Sequence, residues 1–191
     1  MSVLFLFDID DTLLTVDSSK IRLYKNGEMI RLSTEEFRDW RSQGKTDGYA
    51  TSFEEFNDPE FAIPAMETAR PAPGFDILKE IISGESDIIV GILTARSSEE
   101  YVIYEGLIAF FNKQGVTADI DPSLVFAVNN SKYKKWKSKN DSEKKLSIIL
   151  LLLKENMFDH IFLVDDDPMH KKIIDEYCQK RDISTIDVIS V

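Results

Sequence analysis

The sequence has little cysteine, no excess of basic residues and no long apolar run, and each shortage argues against a class of protein. Cys178 is the only cysteine, so no intramolecular disulfide is possible and a reducing cytoplasm is the expected location. The longest apolar run, Ile148 to Leu153, is far shorter than the roughly 20 residues that a membrane-spanning helix requires. The apolar run at the amino terminus has no basic residues before it and is broken at Asp8, unlike a signal peptide.

Acidic residues outnumber basic ones by 34 to 23, which gives a formal net charge of −11. Because a negative field repels anionic lipid and nucleic acid, no membrane partner is expected, and nucleic acid would require a local basic patch. One such run exists at Lys132 to Lys139, KYKKWKSK, where aromatic and basic residues are interleaved as they are on surfaces that bind single strands. The alternative interpretation of this run is a solvated loop.

The segment Phe5 to Leu14, FLFDIDDTLL, brings three carboxylates and a threonine to the end of an apolar run. The run from Val3 to Phe7 has no polar alternation, which is typical of a parallel strand covered on both faces. Such strands carry ligand chemistry at their carboxyl ends, where Asp8 lies. Asp10 has the same parity as Asp8, so in an extended chain the two side chains point to the same side.

Residues 15–73 interrupt the regular pattern and are predicted to form an insert, with residues 1–14 and 74–191 as the main domain. The Asn-Gly pair in Ile21 to Leu32 predicts a β-hairpin. The spacing Ser33-x-x-Glu36 is typical of a capping box and predicts a short helix that ends near Ser42. Glycines and prolines from residue 43 to 73 favour irregular structure, apart from one candidate strand at Thr51 to Phe56.

From Gly74 onward, strand and helix patterns alternate. The predicted strands are Asp87 to Leu93, Leu124 to Val128, His160 to Val164 and Ile183 to Ile189. The predicted helices are Phe75 to Ser83, a segment opened by a capping box at Ser97-x-x-Glu100 and ending near Lys113, Ser142 to Glu155, and a segment from Pro168 to about Lys180 that Asp167 caps. With 43% hydrophobic residues available for a core, this pattern predicts an α/β fold: a Rossmann-like parallel five-stranded sheet in the order 3-2-1-4-5, with helices on both faces and a small cap insert after strand 1.

That strand order places the carboxyl ends of strands 1, 2 and 4 around one crevice. Polar clusters follow all three strands, at Asp8 to Thr12, Thr94 to Arg96 and Asp165 to Asp167. Residues 94–96 fill a turn before a helix, where free N–H groups and the helix dipole favour an anion. The role of helix cap accounts for Asp167 but leaves Asp165 and Asp166 without a structural explanation.

Four carboxylates would repel one another at these strand ends unless a cation lay among them. They belong to Asp8, Asp10, Asp165 and Asp166. A site built from oxygen donors alone, without histidine or cysteine, suits Mg²⁺ better than Zn²⁺. The sequence therefore predicts a Mg²⁺ site.

These motifs, in this order, make the sequence resemble the haloacid dehalogenase superfamily over the whole sheet domain. The motifs that match are Asp8-x-Asp10-x-Thr12 as the first, Thr94 in the ILTAR turn as the second, and Asp165-Asp166 as the fourth. The Thr-x-Arg form of the second motif is similar to the phage-type hydrolases and polynucleotide 3′-phosphatases of this superfamily. The resemblance implies that Asp8 is the nucleophile that forms an aspartyl-phosphate and that Asp10 is the general acid and base.

The resemblance also implies which residues hold the phosphoryl oxygens and which lysine assists them. The phosphate-binding residues are expected to be Thr12, Thr94, Ala95 through its N–H, and Arg96. Lys144 and Lys145 lie in the first turn of one predicted helix, and either one matches the lysine of the third motif; the spacing from Lys145 to an isoleucine three residues on favours Lys145. His170 is expected at the surface rather than as a ligand.

The resulting hypothesis is a Mg²⁺-dependent phosphomonoester hydrolase acting on a small phosphorylated metabolite or a nucleotide. Alternatives are a nucleic-acid 3′-end phosphatase and a binding protein on the same scaffold. A phosphate-accepting receiver domain would need its aspartate after the third strand, where the chain has Val128-Asn129-Asn130. A dehalogenase is disfavoured because Asp10, the acid that a phosphatase needs, is present.

Overall fold

The computed structural model describes residues 2–84, 88–136, 138–155 and 157–191. Five parallel strands form one sheet with helices around it, which confirms the expected Rossmann-like α/β fold. With elements numbered along the whole chain, the sheet strands are β1 (Val3–Phe7), β7 (Ile88–Thr94), β8 (Val125–Ala127), β9 (His160–Asp165) and β10 (Ile186–Ser190). Their order is β8-β7-β1-β9-β10, with β1 at the centre; counted among these five strands alone, it reads 3-2-1-4-5.

The register of the sheet brings the polar strand ends together. Phe7, the last residue of β1, lies opposite Val164 of β9, and the N–H of Asp8 donates to the carbonyl of Val164 at 3.0 Å. Thr94 ends β7 and Asp165 ends β9. All three polar clusters therefore lie at one edge of the sheet, as the predicted strand order requires.

Strands β8 and β10 differ in extent from the predicted strands. Asp87, the predicted start of the second sheet strand, lies outside the described residues. Strand β8 is short because Pro122–Leu124 forms a 3₁₀ turn before it. Strand β10 begins later than predicted because the preceding helix continues to Arg181, after which Asp182 takes a left-handed conformation with φ of 54°.

Four α-helices lie among the described residues of the main domain. They are α4 (Pro73–Ser83), α5 (Glu100–Lys113), α6 (Asp141–Lys154) and α7 (Pro168–Arg181). Asp167 caps α7, as predicted, by accepting a hydrogen bond from the N–H of Met169. Helix α6 begins with a reciprocal capping box between Asn140 and Glu143, which satisfies two backbone N–H groups that would otherwise lack partners.

The capping box predicted for α5 is wrong. The helix begins at Glu100, and Glu99 before it makes no side-chain cap hydrogen bond. The hydroxyl of Ser98 instead donates to the carbonyl of Phe56 at 2.8 Å, and Asn130 Nδ2 donates to the carbonyl of Ser98 at 3.0 Å. Tertiary contacts, rather than a local cap, therefore hold the chain before this helix.

An apolar core covers each face of the sheet. Leu4 and Leu6 of β1 point into the core beneath α6 and α7, whereas Phe7 points into the core beneath α4 and α5. This alternation is the two-residue period of a strand. Gly91, at the centre of β7, lies where a Cβ atom would be 2.9 Å from the carbonyl oxygen of Leu124. The sheet therefore has no room for a side chain at that position.

A Gly91→Ala variant should consequently be destabilised by about 1–3 kcal/mol, the usual cost of overpacking a core. The new methyl group would meet a backbone oxygen, which cannot move aside as the end of a flexible side chain can. Urea unfolding followed by circular dichroism measures the effect. An unchanged midpoint would show that β7 and the turn before β8 can separate at little cost.

The segment between β1 and α4 forms a second, antiparallel sheet and three helices. The strands are β2 (Leu14–Thr15), β3 (Ile21–Lys25), β4 (Glu28–Leu32), β5 (Ala50–Ser52) and β6 (Arg70–Pro71), and the helices are α1 (Thr34–Ser42), α2 (Glu54–Asn57) and α3 (Pro59–Glu67). Strands β4, β3 and β5 form the sheet, and β2 pairs with β6 where the segment leaves and rejoins the main domain. The predicted hairpin is confirmed, with Asn26 and Gly27 both at positive φ, and so is the Ser33–Glu36 capping box.

The expectation of irregular structure from residue 43 to 73 is wrong in part. The candidate strand at Thr51 to Phe56 is divided between β5 and α2. Helix α3 was missed because its two prolines favour a loop, although Asp58 as cap and Pro59 in the first turn are a normal helix start. Met66 of α3 packs against α5 in the main core. No helix among the described residues is long and apolar enough to cross a membrane.

Candidate active site

Asp8 lies at the bottom of a cavity of about 350 Å³ at the carboxyl edge of the sheet. Its side chain is almost completely buried, and its Oδ1 has no hydrogen-bond partner among the described residues. Burial raises the pKa of Asp8 to about 7, and the negative charge of Asp165 adds to this, while the ammonium of Lys145 opposes it. The ammonium of Lys145, 3.1 Å from Oδ1, offsets part of the cost of burying this carboxylate, and a bound ligand would offset more.

Lys145, rather than Lys144, reaches Asp8. Lys145 is fully buried, with Nζ 2.7 Å from Asp165 Oδ2 and 3.1 Å from Asp8 Oδ1. Burial alone would lower the pKa of this ammonium, but the two carboxylates outweigh it and hold the pKa above its usual value. Lys144 turns toward Asn129 and Asp141. The structure therefore places Lys145, and not Lys144, beside the predicted nucleophile.

His170 is buried, and the expectation that it lies at the surface is wrong. Its Nδ1 lies 2.9 Å from Asp165 Oδ2 and 3.3 Å from Lys145 Nζ. The reason is that the first turn of α7 directly follows the Asp165 loop, so the ring folds back onto the strand end. Burial would raise the pKa of Asp165, but Lys145 and His170 hold it well below its usual value. Asp165 is thus kept ionised.

Thr12 does not face the cavity, contrary to its expected phosphate contact. Its hydroxyl is fully buried, donates to Asp166 Oδ1 at 3.0 Å and accepts from the N–H of Asp166 at 3.0 Å. This pair of hydrogen bonds joins the loop after β1 to the loop after β9. Burial raises the pKa of Asp166, although the guanidinium of Arg38 acts in the opposite direction.

A carboxylate oxygen from each of Asp8, Asp165 and Asp166 lies within 4.8 Å of the other two. The close approach of three carboxylate donors, without histidine or cysteine, fits a hard divalent cation such as Mg²⁺. Asp10, the fourth acid predicted to bind the metal, is not in this group. Both of its oxygens are instead bound by Arg96.

Arg96 is a buried partner of Asp10 rather than an exposed charge. Its Nε lies 2.8 Å from Asp10 Oδ2 and its Nη2 lies 2.7 Å from Asp10 Oδ1, in the forked geometry typical of arginine and carboxylate. Burial would lower the pKa of the guanidinium, but Asp10 raises it further, so the charge is retained. The guanidinium also lies 5.5 Å from the ring centroid of Phe56. Arg96 therefore borders the cavity as a fixed cation.

Thr94 and Ala95 also border the cavity, in agreement with their predicted place in the site. Thr94 Oγ1 accepts a hydrogen bond from the N–H of Arg96 at 3.3 Å, which tightens the turn after β7. The carbonyl of Ala95 accepts from Asn129 Nδ2 at 2.6 Å. Asn129 is a site residue that the sequence pattern did not reveal, because it follows the edge strand β8 rather than one of the three central strands.

Apart from Ser97 and Asp141 of the main domain, the remaining lining residues come from the insert, and they were not predicted. Those with side chains of the largest apolar area are Ile21, Phe37, Phe53 and Phe56, and Thr34 and Arg41 accompany them. Arg38 of α1 contacts one of the three candidate metal ligands, with Nη1 3.1 Å from Asp166 Oδ2. Its Nη2 lies 3.0 Å from Oδ2 of the neighbouring Asp11. One signal was available in the sequence: Phe37, Arg38 and Arg41 lie on adjacent turns of a helix whose start was correctly predicted.

Comparison with known proteins identifies no relative of this chain. No family model matches the sequence, no curated protein matches it, and no solved structure matches the fold at a significant level. The geometry and charges of the site therefore carry the functional argument.

Proposed function

We propose that this protein is a Mg²⁺-dependent phosphomonoester hydrolase that acts through an aspartyl-phosphate on Asp8. The observation that carries the proposal is the placement of Asp8 at the end of the central strand, buried, with Oδ1 paired with the ammonium of Lys145 at 3.1 Å. A carboxylate that attacks a phosphoryl group must be directed at it and surrounded by positive charge. The motifs that resemble the haloacid dehalogenase superfamily support the same assignment.

Each residue of the site has a role in this reaction. An oxygen of Asp8 attacks phosphorus, the ester P–O bond breaks, and the leaving oxygen takes a proton. Mg²⁺ held by Asp8, Asp165 and Asp166 would neutralise charge so that a carboxylate can approach the phosphoryl anion. Lys145 compensates the charge of Asp8 from the buried side, and the hydroxyl of Thr94 and the N–H of Ala95 would receive the phosphoryl oxygens.

Asp10 is the proton donor in this scheme and then removes a proton from the water that hydrolyses the aspartyl-phosphate. Both of its oxygens are paired with Arg96 in the free protein. A phosphoryl oxygen is an alternative partner for a guanidinium, so substrate binding would release one oxygen of Asp10, which would take up a proton from solvent and pass it to the leaving oxygen. Arg96 thus links phosphate binding to the availability of the acid.

The direct test is phosphate release from an aryl phosphate and from a panel of nucleotides, sugar phosphates, phosphoproteins and 3′-phosphorylated oligonucleotides, with Mg²⁺ or with excess chelator. The proposal requires release that depends on Mg²⁺ and is lost on chelation. Full activity in excess chelator would contradict the metal assignment. Absence of release from every substrate would favour a binding protein on this scaffold.

Replacing Arg38 should tighten the metal site, whereas replacing Asp166 should weaken it. Arg38 shares Asp166 with the cation, so Arg38→Ala should lower the Mg²⁺ concentration for half-maximal activity by about twofold to fivefold, the strength of one half-exposed ion pair. Asp166→Ala removes a ligand and should raise that concentration. The measurement is activity against free Mg²⁺, with Arg70→Ala, which breaks an exposed ion pair away from the cavity, as the control. If both variants shift the midpoint upward, Arg38 supports the site instead of competing for it.

A nucleic-acid 3′ end is a second candidate substrate, and a neighbouring cavity favours it. This cavity, also of about 350 Å³, shares Asn129 with the first and is bordered by Lys134 and Lys144. Beside it, the rings of Tyr133 and Trp136 stack with centroids 5.3 Å apart. Lys132 is paired with Glu100, and Lys137 lies outside the described residues. A strand that ends at Asp8 would thus meet positive charge along this path.

For such a substrate, the KM should rise steeply with salt, because each phosphate contact releases counterions. Lys134→Glu with Lys135→Glu should flatten that dependence and leave turnover of an aryl phosphate unchanged. The control carries Lys113→Glu and Lys154→Glu, which alter net charge equally at the carboxyl ends of α5 and α6. Equal salt slopes in both double variants would identify the run as a solvated loop.

A further inference from the structure

The cavity above Asp8 has a polar side and an apolar side, supplied by different parts of the chain. The main domain contributes the charged and hydroxyl groups, among them Asp8, Asp10, Thr94 and Arg96. The insert contributes most of the apolar side. A volume of about 350 Å³ is near the lower end of the range for small-molecule sites, so it suits one ring system joined to a phosphoryl group.

Phe37 and Phe53 form the outer part of the apolar side. Their ring centroids are 5.6 Å apart and their planes meet at 89°, an edge-to-face pair. Phe53 remains 40% exposed, and Phe37 is only partly buried, so both rings keep free surface at the cavity. Two rings at a right angle offer a third ring one face for stacking and one edge for a T-shaped contact. We call this pair the aromatic corner.

Arg41 lies one helical turn after Phe37 and also borders the cavity. Among the described residues its guanidinium has no ion-pair or hydrogen-bond partner, unlike that of Arg38, which binds two carboxylates. A free guanidinium beside aromatic rings can stack on a further ring or donate to acceptor atoms at its edge. A heteroaromatic ring can stack against the aromatic corner and at the same time accept a hydrogen bond from Arg41 at its edge.

We propose that the cavity takes phosphomonoesters whose alcohol carries a planar aromatic ring, with the ring at the aromatic corner and the phosphoryl group at Asp8. This substrate class rests on the phosphatase function proposed above. A nucleotide has this chemistry, either free or at the end of a strand. A sugar phosphate without an aromatic ring would bring hydroxyl groups against the apolar side, where they would lose water without gaining hydrogen bonds.

The sharpest comparison uses a nucleoside 5′-monophosphate and ribose 5-phosphate, in which a hydroxyl group replaces the base. The nucleotide should have a kcat/KM about tenfold higher or more, the effect of one base–aromatic stacking contact. A 3′-phosphorylated oligonucleotide, tested in parallel, separates a strand end from a free nucleotide as the source of the ring. Equal kcat/KM values with and without a base would overturn the proposal.

Substitutions at the aromatic corner test whether the preference for a base arises there. Phe53→Leu should raise KM for the nucleotide by about fivefold or more and leave ribose 5-phosphate unchanged, since only the stacking surface is lost. Phe37→Leu should act in the same direction. The matched control is Phe61→Leu, at another exposed phenylalanine that does not border the cavity. A Phe53→Leu effect of equal size on both substrates would show a structural role and contradict the proposal.

Binding to an Asp8→Asn variant separates this proposal from the proposed function. Calorimetry with the nucleotide and with ribose 5-phosphate requires no turnover. If the wild-type protein releases no phosphate but the variant binds the nucleotide more tightly than ribose 5-phosphate, the phosphatase function fails and the aromatic corner stands. If phosphate is released but neither KM nor binding depends on the base, the phosphatase function stands and the aromatic corner fails. If neither ligand binds and none reacts, both fail.

Discussion

An Asp8→Asn variant should fold and lose at least about a thousandfold in turnover, as expected when the nucleophile of a covalent mechanism is removed. The amide is nearly the same size as the carboxylate but cannot form the acyl-phosphate. The carboxyl group has its pKa raised from 3.8 to about 7, and such a group destabilises the folded state once pH exceeds the unfolded value. Without metal and near neutral pH, the variant should therefore be at least as stable as the wild-type protein.

Phosphate release and urea unfolding, measured on the same preparations, test both parts of this expectation. Asp76→Asn is a matched control, because it makes the same change at an exposed residue of α4 outside the cavity. Turnover within about threefold of wild type in a folded Asp8→Asn protein, well short of the loss expected for a nucleophile, would eliminate the aspartyl-phosphate mechanism.

A Lys145→Met variant should lose about 3–5 kcal/mol of stability, the usual result of removing one partner from a buried ion pair. The methionine matches the length of the lysine stem but leaves Asp8 and Asp165 without the ammonium that lies 3.1 and 2.7 Å from them. Lys144→Met is the control on the same helical turn, and its half-buried pairing with Asp141 should cost about 1 kcal/mol or less.

Urea unfolding of metal-free protein measures both variants, and a double variant tests the cause. If uncompensated charge is responsible, Asp165→Asn should recover much of the loss when combined with Lys145→Met, because the two sites are directly coupled. Equal stability of the two lysine variants would mean that the buried ammonium does not balance the acids. An additive double variant would assign the loss to packing.

The sheet and its catalytic edge were predictable because their signals are local. An apolar run followed by Asp8, or by Asp165, combines strand periodicity with a polar break, and a parallel sheet brings such breaks to one edge. Lys145 was also within reach of this reasoning, since the helix start fixes which face of α6 meets the sheet. The structure places it against Asp8 as the spacing favoured.

The contribution of the insert was not predictable in the same way. Phe37 and Phe53 reach the cavity only because the antiparallel sheet and α1 fold back over β1, and no local pattern encodes that docking. The hydrogen bonds of Thr12 to Asp166 and of Arg96 to Asp10 also depend on tertiary structure, because each of these side chains could pair with several polar groups. His170 shows most clearly what local patterns cannot predict. Its position in the first turn of a helix was predicted correctly, whereas its burial depends on the adjacent loop.

The central position of β1 has a consequence for how the chain reaches this structure during synthesis. Val3 pairs with Ile88 on one side and with His160 on the other, so the first strand to emerge must wait for the second and then the fourth strand of its sheet. Contacts so distant in sequence slow folding, and an apolar strand with two open edges is prone to pair with other chains. We therefore expect truncated chains that end before β9 to aggregate, and newly made chains to depend on chaperones until residue 165 has emerged.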